Sequence, residues 1–130
     1  MRIQEIKNND YKELVKFWKE NYFVNELDEL KPFKLFLKKN PNLSILAEEN
    51  GKIIGSALGS FDGRRGYVQK LVVDKDFRGK GIGKKLLDLV VKKLKKAGAL
   101  YIPISCEAEM LPFYEKSGFK KTTQVTVSRK

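Results

Sequence analysis

Apolar and polar positions change their period several times along this chain, and each change marks an element. Ile3 and Ile6 bracket Gln4 and Glu5, a weak strand signal over Arg2–Ile6. Asp10 and Glu13 stand at capping-box spacing, and Tyr11, Leu14, Val15, Trp18 and Tyr22 follow at helical intervals. That predicts a first helix whose aromatic residues face the core. A second helix is predicted over Pro32–Lys39, with proline in its first turn and Asn40-Pro41 as its stop. Leu43–Glu48 and Lys52–Phe61 then read as strands joined across Glu49-Asn50-Gly51, where Asn-Gly is a strong hairpin signal. Asp62-Gly63-Arg64-Arg65-Gly66 is a second tight turn and Tyr67–Val73 a third consecutive strand, so the sheet begins as an antiparallel meander.

The helical period returns over Ile82–Ala97, with Ile82, Leu86, Leu89, Val90 and Leu94 as the apolar stripe and Gly98 as the stop. Leu100–Ser105 is predicted as a strand parallel to the one before the helix, because a helical crossover joins them. A short helix over Met110–Lys116 ends at Gly118, and Phe119–Arg129, alternating at Val125 and Val127, is expected to close the sheet. The 130 residues read as a single α/β domain, 1–130: a mixed, mostly antiparallel sheet flanked by helices.

Composition narrows the chemistry. Apolar types make up 42% and charged types 33%, which suits a folded chain. No run spans a bilayer and no apolar stretch follows the first residues, so neither membrane insertion nor secretion is expected. The one cysteine, Cys106, excludes an internal disulfide and fits a cytoplasmic location. Histidine is absent, which removes Ser-His-Asp triads, Cys-His pairs and His-ligated zinc, and no metal site is expected. The net charge of +11 is uneven: residues 1–66 carry 12 basic and 10 acidic side chains, residues 67–130 carry 15 and 6. Such a basic half attracts polyanions, whether nucleic acid, an anionic surface or a phosphorylated cofactor.

The stretch Leu71-Val72-Val73-Asp74-Lys75-Asp76-Phe77-Arg78-Gly79-Lys80-Gly81-Ile82-Gly83-Lys84 sets alternate glycines between a strand and the first turn of a helix. Glycines there let backbone N–H groups crowd an anion, and the helix start adds unpaired donors and a positive dipole end. Arg78, Lys80 and Lys84 add formal charge. A diphosphate cradle follows. A Walker loop does not fit, since Gly79 to Lys84 is too short and Lys85 replaces the hydroxyl. A dinucleotide fingerprint does not fit either, since Lys84 stands where the third glycine belongs.

What remains is Arg-x-x-Gly-x-Gly at Arg78, Gly81 and Gly83, which resembles the acetyl-CoA signature of the GNAT superfamily of N-acetyltransferases. Leu71-Val72-Val73 is similar to that family's fourth strand, whose backbone grips the pantetheine arm. Phe113-Tyr114-Glu115-Lys116-Ser117-Gly118-Phe119 is similar to its last-helix signature, and the order of elements matches over nearly the whole chain. The Asp-Gly-Arg-Arg-Gly turn resembles small bacterial and archaeal members of undefined acceptor.

The resemblance implies a GNAT fold with a splayed sheet and acetyl-CoA as co-substrate between the fourth and fifth strands. Leu71, Val72, Val73, Arg78, Gly79, Lys80, Gly81, Ile82, Gly83 and Lys84 would hold it. Tyr114 matches the general acid that protonates the departing thiolate. N–H groups of Leu71 and Val73 would polarise the thioester if the strand bulges there. The usual glutamate on the fourth strand is replaced by Tyr67, and the acidic pair of the glucosamine-phosphate enzymes by Gln69-Lys70. Glu107, where the family often has asparagine, is the remaining carboxylate and the second catalytic candidate; a first-turn residue favoured by the helix dipole is the other reading. Direct attack by a small or peptide amine is favoured over an acetyl-Cys106 intermediate, because nothing nearby activates the thiol. Arg64 and Arg65 are expected at the acceptor entrance, and the short segment after Phe119 predicts an open site. A homodimer fits the reading. A cofactor-binding member without catalysis, or a nucleic-acid-binding module using the basic half, are the alternatives, the second disfavoured because aromatic residues do not interleave the basic run 75–96.

Overall fold

The computed structural model describes all residues, Met1–Lys130. Its elements are β1 (Arg2–Glu5), α1 (Tyr11–Asn21), α2 (Leu30–Lys39), β2 (Ile45–Glu49), β3 (Lys52–Phe61), β4 (Gly66–Val73), α3 (Ile82–Ala97) and α4 (Leu111–Lys116), with short 3-10 turns between several of them. The four strands form one antiparallel sheet in the order β1-β2-β3-β4. No helix is long and apolar enough to cross a membrane.

Both faces of the sheet are covered, which is why β2 and β3 read as almost continuous apolar runs. On one face Leu14, Phe17 and Trp18 of α1 and Phe33 of α2 meet Leu46, Ile53, Leu58 and Val72. On the other, Ile82, Leu86, Val90 and Leu94 of α3 meet Ile45, Ala47, Ile54 and Ala57. The closeness of α3 depends on missing side chains. A Cβ at Gly55 would stand 2.8 Å from Leu86 Cδ1, and one at Gly59 would stand 3.0 Å from Val90 Cγ1. The β2–β3 hairpin turns at Asn50 (φ 51°) and Gly51 (φ 77°), the paired positive angles that suit the twist of the strands it joins.

The first helix starts at Tyr11, as its pattern predicts, but the Asp10 side chain does not cap it. Asp10 reaches backward, accepting from the Lys7 N–H at 2.8 Å, so a 3-10 turn precedes α1. The second helix begins at Leu30 rather than Pro32, since Asn25 caps the turn before it and Phe33 N–H already reaches the Glu29 oxygen.

The two last strands do not form. Leu100–Ser105 contributes one parallel bridge, Tyr101 to Arg65, with Gly66 N–H donating to the Tyr101 oxygen at 2.9 Å. Two residues further on, Pro103 has no N–H to continue the ladder. Phe119–Arg129 also lacks strand pairing, with Val125 and Val127 exposed, because two alternating valines find no apolar face to cover. The segment still runs back past Ser105, whose hydroxyl lies 3.1 Å from that of Thr126. It ends on the α1–α2 connection, where Lys130 pairs with Glu26 at 2.7 Å. Between β4 and residues 102–105 the sheet is therefore open: closed at Tyr101, splayed beyond it.

Candidate active site

The outer edge of β4 faces this cleft, and its hydrogen-bonding direction changes along the strand. Gly66 turns its N–H outward to Tyr101, whereas Asp74 turns its N–H inward to the Ile54 oxygen at 2.8 Å. Regular alternation would give even-numbered residues one direction throughout. The reversal comes from one extra residue: Leu58 pairs with Gln69 and Ser56 with Val72, so Lys70 and Leu71 together oppose Ala57. Past the bulge, alternation turns the N–H groups of Leu71 and Val73 toward the cleft. Lys70, the extra residue, has φ +51°, a left-handed conformation uncommon outside glycine, Asn and Asp.

The bulge also moves Lys70 across the sheet. Val68 packs on the α3 face, and unbroken alternation would place Lys70 beside it. Instead its ammonium lies against α1, 5.1 Å from the Trp18 ring centre and 4.6 Å from that of Phe23. It donates to the Phe23 carbonyl at 2.7 Å and pairs with Asp28 at 2.9 Å. Its own carbonyl accepts from the Ser56 hydroxyl at 2.8 Å, which in turn accepts from the Trp18 indole at 2.9 Å.

Beyond β4, Lys75–Phe77 forms a 3-10 turn and the chain enters α3 through Gly79 and Gly81, with φ of 79° and 81°. No atom lies within 4 Å of a Cβ built on either. The first intrahelical bond runs from Lys85 N–H to the Gly81 oxygen, and no side chain caps the helix. The N–H groups of its first turn stay open. Together these features fit an anion. Gly83 differs: it is helical, and a Cβ there would touch Phe113 and Val73 at 3.5 Å. Its smallness serves the seating of α4. A groove of about 380 Å³ continues down α3, lined by Gly81, Lys84, Lys85, Asp88, Leu89 and Lys92.

The charges of the loop are partly engaged within the chain. Lys84 pairs with Asp88 at 2.8 Å, and Lys80 lies over the Phe77 ring. Arg78 bonds the Val73 oxygen through Nε at 3.0 Å and the Asn21 oxygen through Nη2 at 3.1 Å. The Asn21 side chain accepts from the Lys75 N–H at 2.9 Å. The loop is thus sewn to the end of α1.

With Phe113 seated on Gly83, the next residue, Tyr114, stands edge-on to Phe113 and Phe119. Its phenol is half-buried. Burial pushes its pKa above the ordinary value, and the neighbouring Cys106 and Tyr22 add to the rise. Tyr22, placed by its spacing in the core stripe of α1, instead lies exposed just past the helix end, tilted against Phe23 at 4.2 Å. The charges of Cys106 and Tyr22 thus act on Tyr114, an influence that no sequence spacing announces. Glu107 is exposed at the entry to the Ala108–Met110 turn, where only its carbonyl is engaged, by Met110.

Arg64 and Arg65 sit at the closed end. Their N–H groups both donate to Asp62 Oδ1, at 2.8 and 2.7 Å, and the Arg65 guanidinium lies 5.5 Å from the Tyr101 ring centre. Five residues of strand, about 16 Å, separate Arg65 from Lys70.

The site thus combines a splayed cleft, an open helix N-terminus and a half-buried phenol on the helix seated at Gly83. The chain belongs to the acetyltransferase (GNAT) family, whose model it matches over residues 7–119. An acetyltransferase of Pectobacterium atrosepticum is 29% identical over a 140-residue alignment covering all of this chain and 95% of that protein. Among solved structures, a PaiA N-acetyltransferase of Thermoplasma acidophilum in complex with coenzyme A superposes with TM-score 0.82 at 18% identity, covering 95% of this chain and 92% of the other. An acetyltransferase from Clostridium acetobutylicum with acetyl-CoA gives 0.80 at 22% identity, covering 98% and 95%. These likenesses bear out the α/β GNAT fold read from the sequence.

Proposed function

We propose that this acetyltransferase moves the acetyl group of acetyl-CoA to a primary amine by direct attack in a ternary complex. The observation that carries the reading is that Phe113, on the helix bearing Tyr114, and Val73 of β4 both close on Gly83, where a Cβ would stand 3.5 Å from each; helix, cradle and open strand edge meet there. Gly79, Lys80, Gly81, Ile82, Gly83 and Lys84 would receive the diphosphate on open N–H groups, with Arg78 fixing the loop. Leu71, Val72 and Val73 would present β4 backbone to the extended arm, and the Leu71 and Val73 N–H groups would polarise the thioester carbonyl. Acetyl-CoA supplies the activated acyl group.

The amine attacks the carbonyl carbon, a C–N bond forms, and the C–S bond breaks. Tyr114 gives its proton to the departing thiolate. A phenol whose pKa is raised stays protonated at neutral pH, and the same burial raises the basicity of the thiolate, so acid and acceptor remain matched. The proton lost by the ammonium passes to water, with Glu107, next to Cys106, as the carboxylate to take it. The two coenzyme A complexes among the fold's relatives support this use of the cleft.

The test is calorimetry with acetyl-CoA and CoA, followed by a panel of small amines, polyamines, amino sugars and peptide N-termini, scored by release of free thiol. Binding of acetyl-CoA and thiol release with at least one amine are expected. No binding of either nucleotide refutes the reading.

A further inference from the structure

We propose that Lys70 is a positioning residue for thioester polarisation: its buried ammonium, clamped on Asp28 and the Phe23 carbonyl, holds the β4 bulge in the shape that turns Leu71 and Val73 to the cleft. The inference rests on the acetyl-CoA reading above and deepens it.

The physical case starts from cost. A lysine in a left-handed conformation is strained, and a bulge at that position would form more easily on glycine. A lysine side chain only 11% exposed also gives up much of its contact with water. Both penalties fall on one residue, so something must hold it there. The offsets are all long-range: Asp28, itself 8% exposed, at 2.9 Å; the Phe23 oxygen at 2.7 Å; and the faces of Trp18, Tyr22 and Phe23 between 4.6 and 5.4 Å. Its own carbonyl, displaced from regular pairing by the bulge, is taken up by Ser56, which Trp18 holds in turn.

The clamp and the bulge require each other. Without the extra residue Lys70 would share the face of Val68, and Asp28 would be left as a buried carboxylate with no cation. Without the ion pair, the strained Lys70 has reason to relax toward regular pairing, which by alternation turns the N–H of Leu71 back toward β3. The side chain therefore acts through the backbone beside it and touches no reacting atom.

The experiment compares the wild type with Lys70→Gly, Lys70→Arg and the double variant Lys70→Met/Asp28→Asn. Glycine relieves the backbone strain while deleting the clamp, and the double variant leaves no buried charge unpaired, so both are expected to fold. CoA affinity is measured by calorimetry, and polarisation by the carbonyl ¹³C resonance of bound [1-¹³C]acetyl-CoA. In the wild type that resonance is expected downfield of the free thioester. The double variant should lose most of the displacement while CoA affinity stays within about threefold. Lys70→Arg, which keeps the cation, should retain it, and so should Lys70→Gly, on which the bulge forms without a clamp. Full displacement in the double variant would overturn the proposal and leave the acetyl-CoA reading standing, as would its loss in Lys70→Gly or a wild type that binds CoA with no displacement. Parallel loss of affinity and displacement in the double variant would overturn it too, showing a general structural role. A wild type that binds neither CoA nor acetyl-CoA removes both readings together.

Discussion

The cradle and the bulge are neighbours on the chain, yet they are held in opposite ways. The loop from Asp74 to Lys85 makes most of its shape from its own backbone, through two left-handed glycines, an Asx turn at Asp74 and an uncapped helix start, with Asn21 of α1 as a long-range tie. The bulge at Lys70 is held from outside, by Trp18, Phe23, Asp28 and Ser56. A local device of this kind is damaged by changes within it. A device clamped at long range is damaged by changes tens of residues away.

The sharpest way to break this comparison is inside the cradle. Gly81→Asp puts an L side chain on φ +81° and a carboxylate where an anion would sit. Acetyl-CoA affinity should fall by about 100-fold or more, since both backbone shape and charge oppose binding. The bulge should not notice, so the apo melting temperature should drop only slightly. If acetyl-CoA still stabilises the variant as it does the wild type, the loop is not the anion site.

Tyr114→Phe tests the part assembled at long range. It keeps the ring contacts with Phe113 and Phe119 and removes the proton. Turnover should fall about 100-fold with acetyl-CoA affinity unchanged. The acid form is the active one, so activity tied to Tyr114 persists below its pKa and is lost as pH rises through it. Because that pKa is raised, the alkaline limb should lie above the ordinary phenol value of about 10, and it should vanish in the variant. An unchanged kcat in the variant would show that another group protonates the thiolate.

The same contrast explains what was legible in the sequence. Local period specified α3 over Ile82–Ala97, the Asn-Gly hairpin and β3, because each is decided within a few residues. The Arg-x-x-Gly-x-Gly spacing located the cradle for the same reason. The patterns over 100–105 and 119–129 predict strands that do not form, because pairing depends on a partner: Pro103 interrupts one, and Val125 and Val127 meet no apolar face in the other. Tyr22 kept helical spacing but fell one residue past the helix end, in the open beside Tyr114. In the sequence Lys70 stands out only as a departure from an acidic pair, since nothing in local spacing points to Phe23, 47 residues earlier.

Arg78 sharpens the comparison, because it belongs to the local motif and works across it. Its guanidinium joins the end of β4 to the last residue of α1. Arg78→Gln should lower stability by about 1 kcal/mol, the scale of a lost hydrogen bond, while CoA affinity changes less than about threefold. Denaturant unfolding and calorimetry on the same samples separate the two. A large affinity loss at unchanged stability would mean that the guanidinium turns to the ligand's phosphates on binding.

The smallest effect belongs to the turn at the closed end of the cleft, which is local like the cradle but carries no anion site. Asp62 Oδ1 accepts from the N–H groups of Arg64 and Arg65, and these bonds hold its carboxyl below the usual pKa. A depressed folded pKa means stability that is present above the unfolded value and lost as pH falls through the folded one. Asn at this position keeps an oxygen for both donors and deletes the charge. Wild type should therefore exceed Asp62→Asn by a small, constant margin near neutrality, and the margin should close only below about pH 4. Acetyl-CoA affinity should be the same in both proteins across that range, because the turn lies about 16 Å of strand from the bulge. A pH-independent margin would assign the effect to packing of the turn. Altered acetyl-CoA affinity would mean that the closed end of the sheet sets the width of its open end.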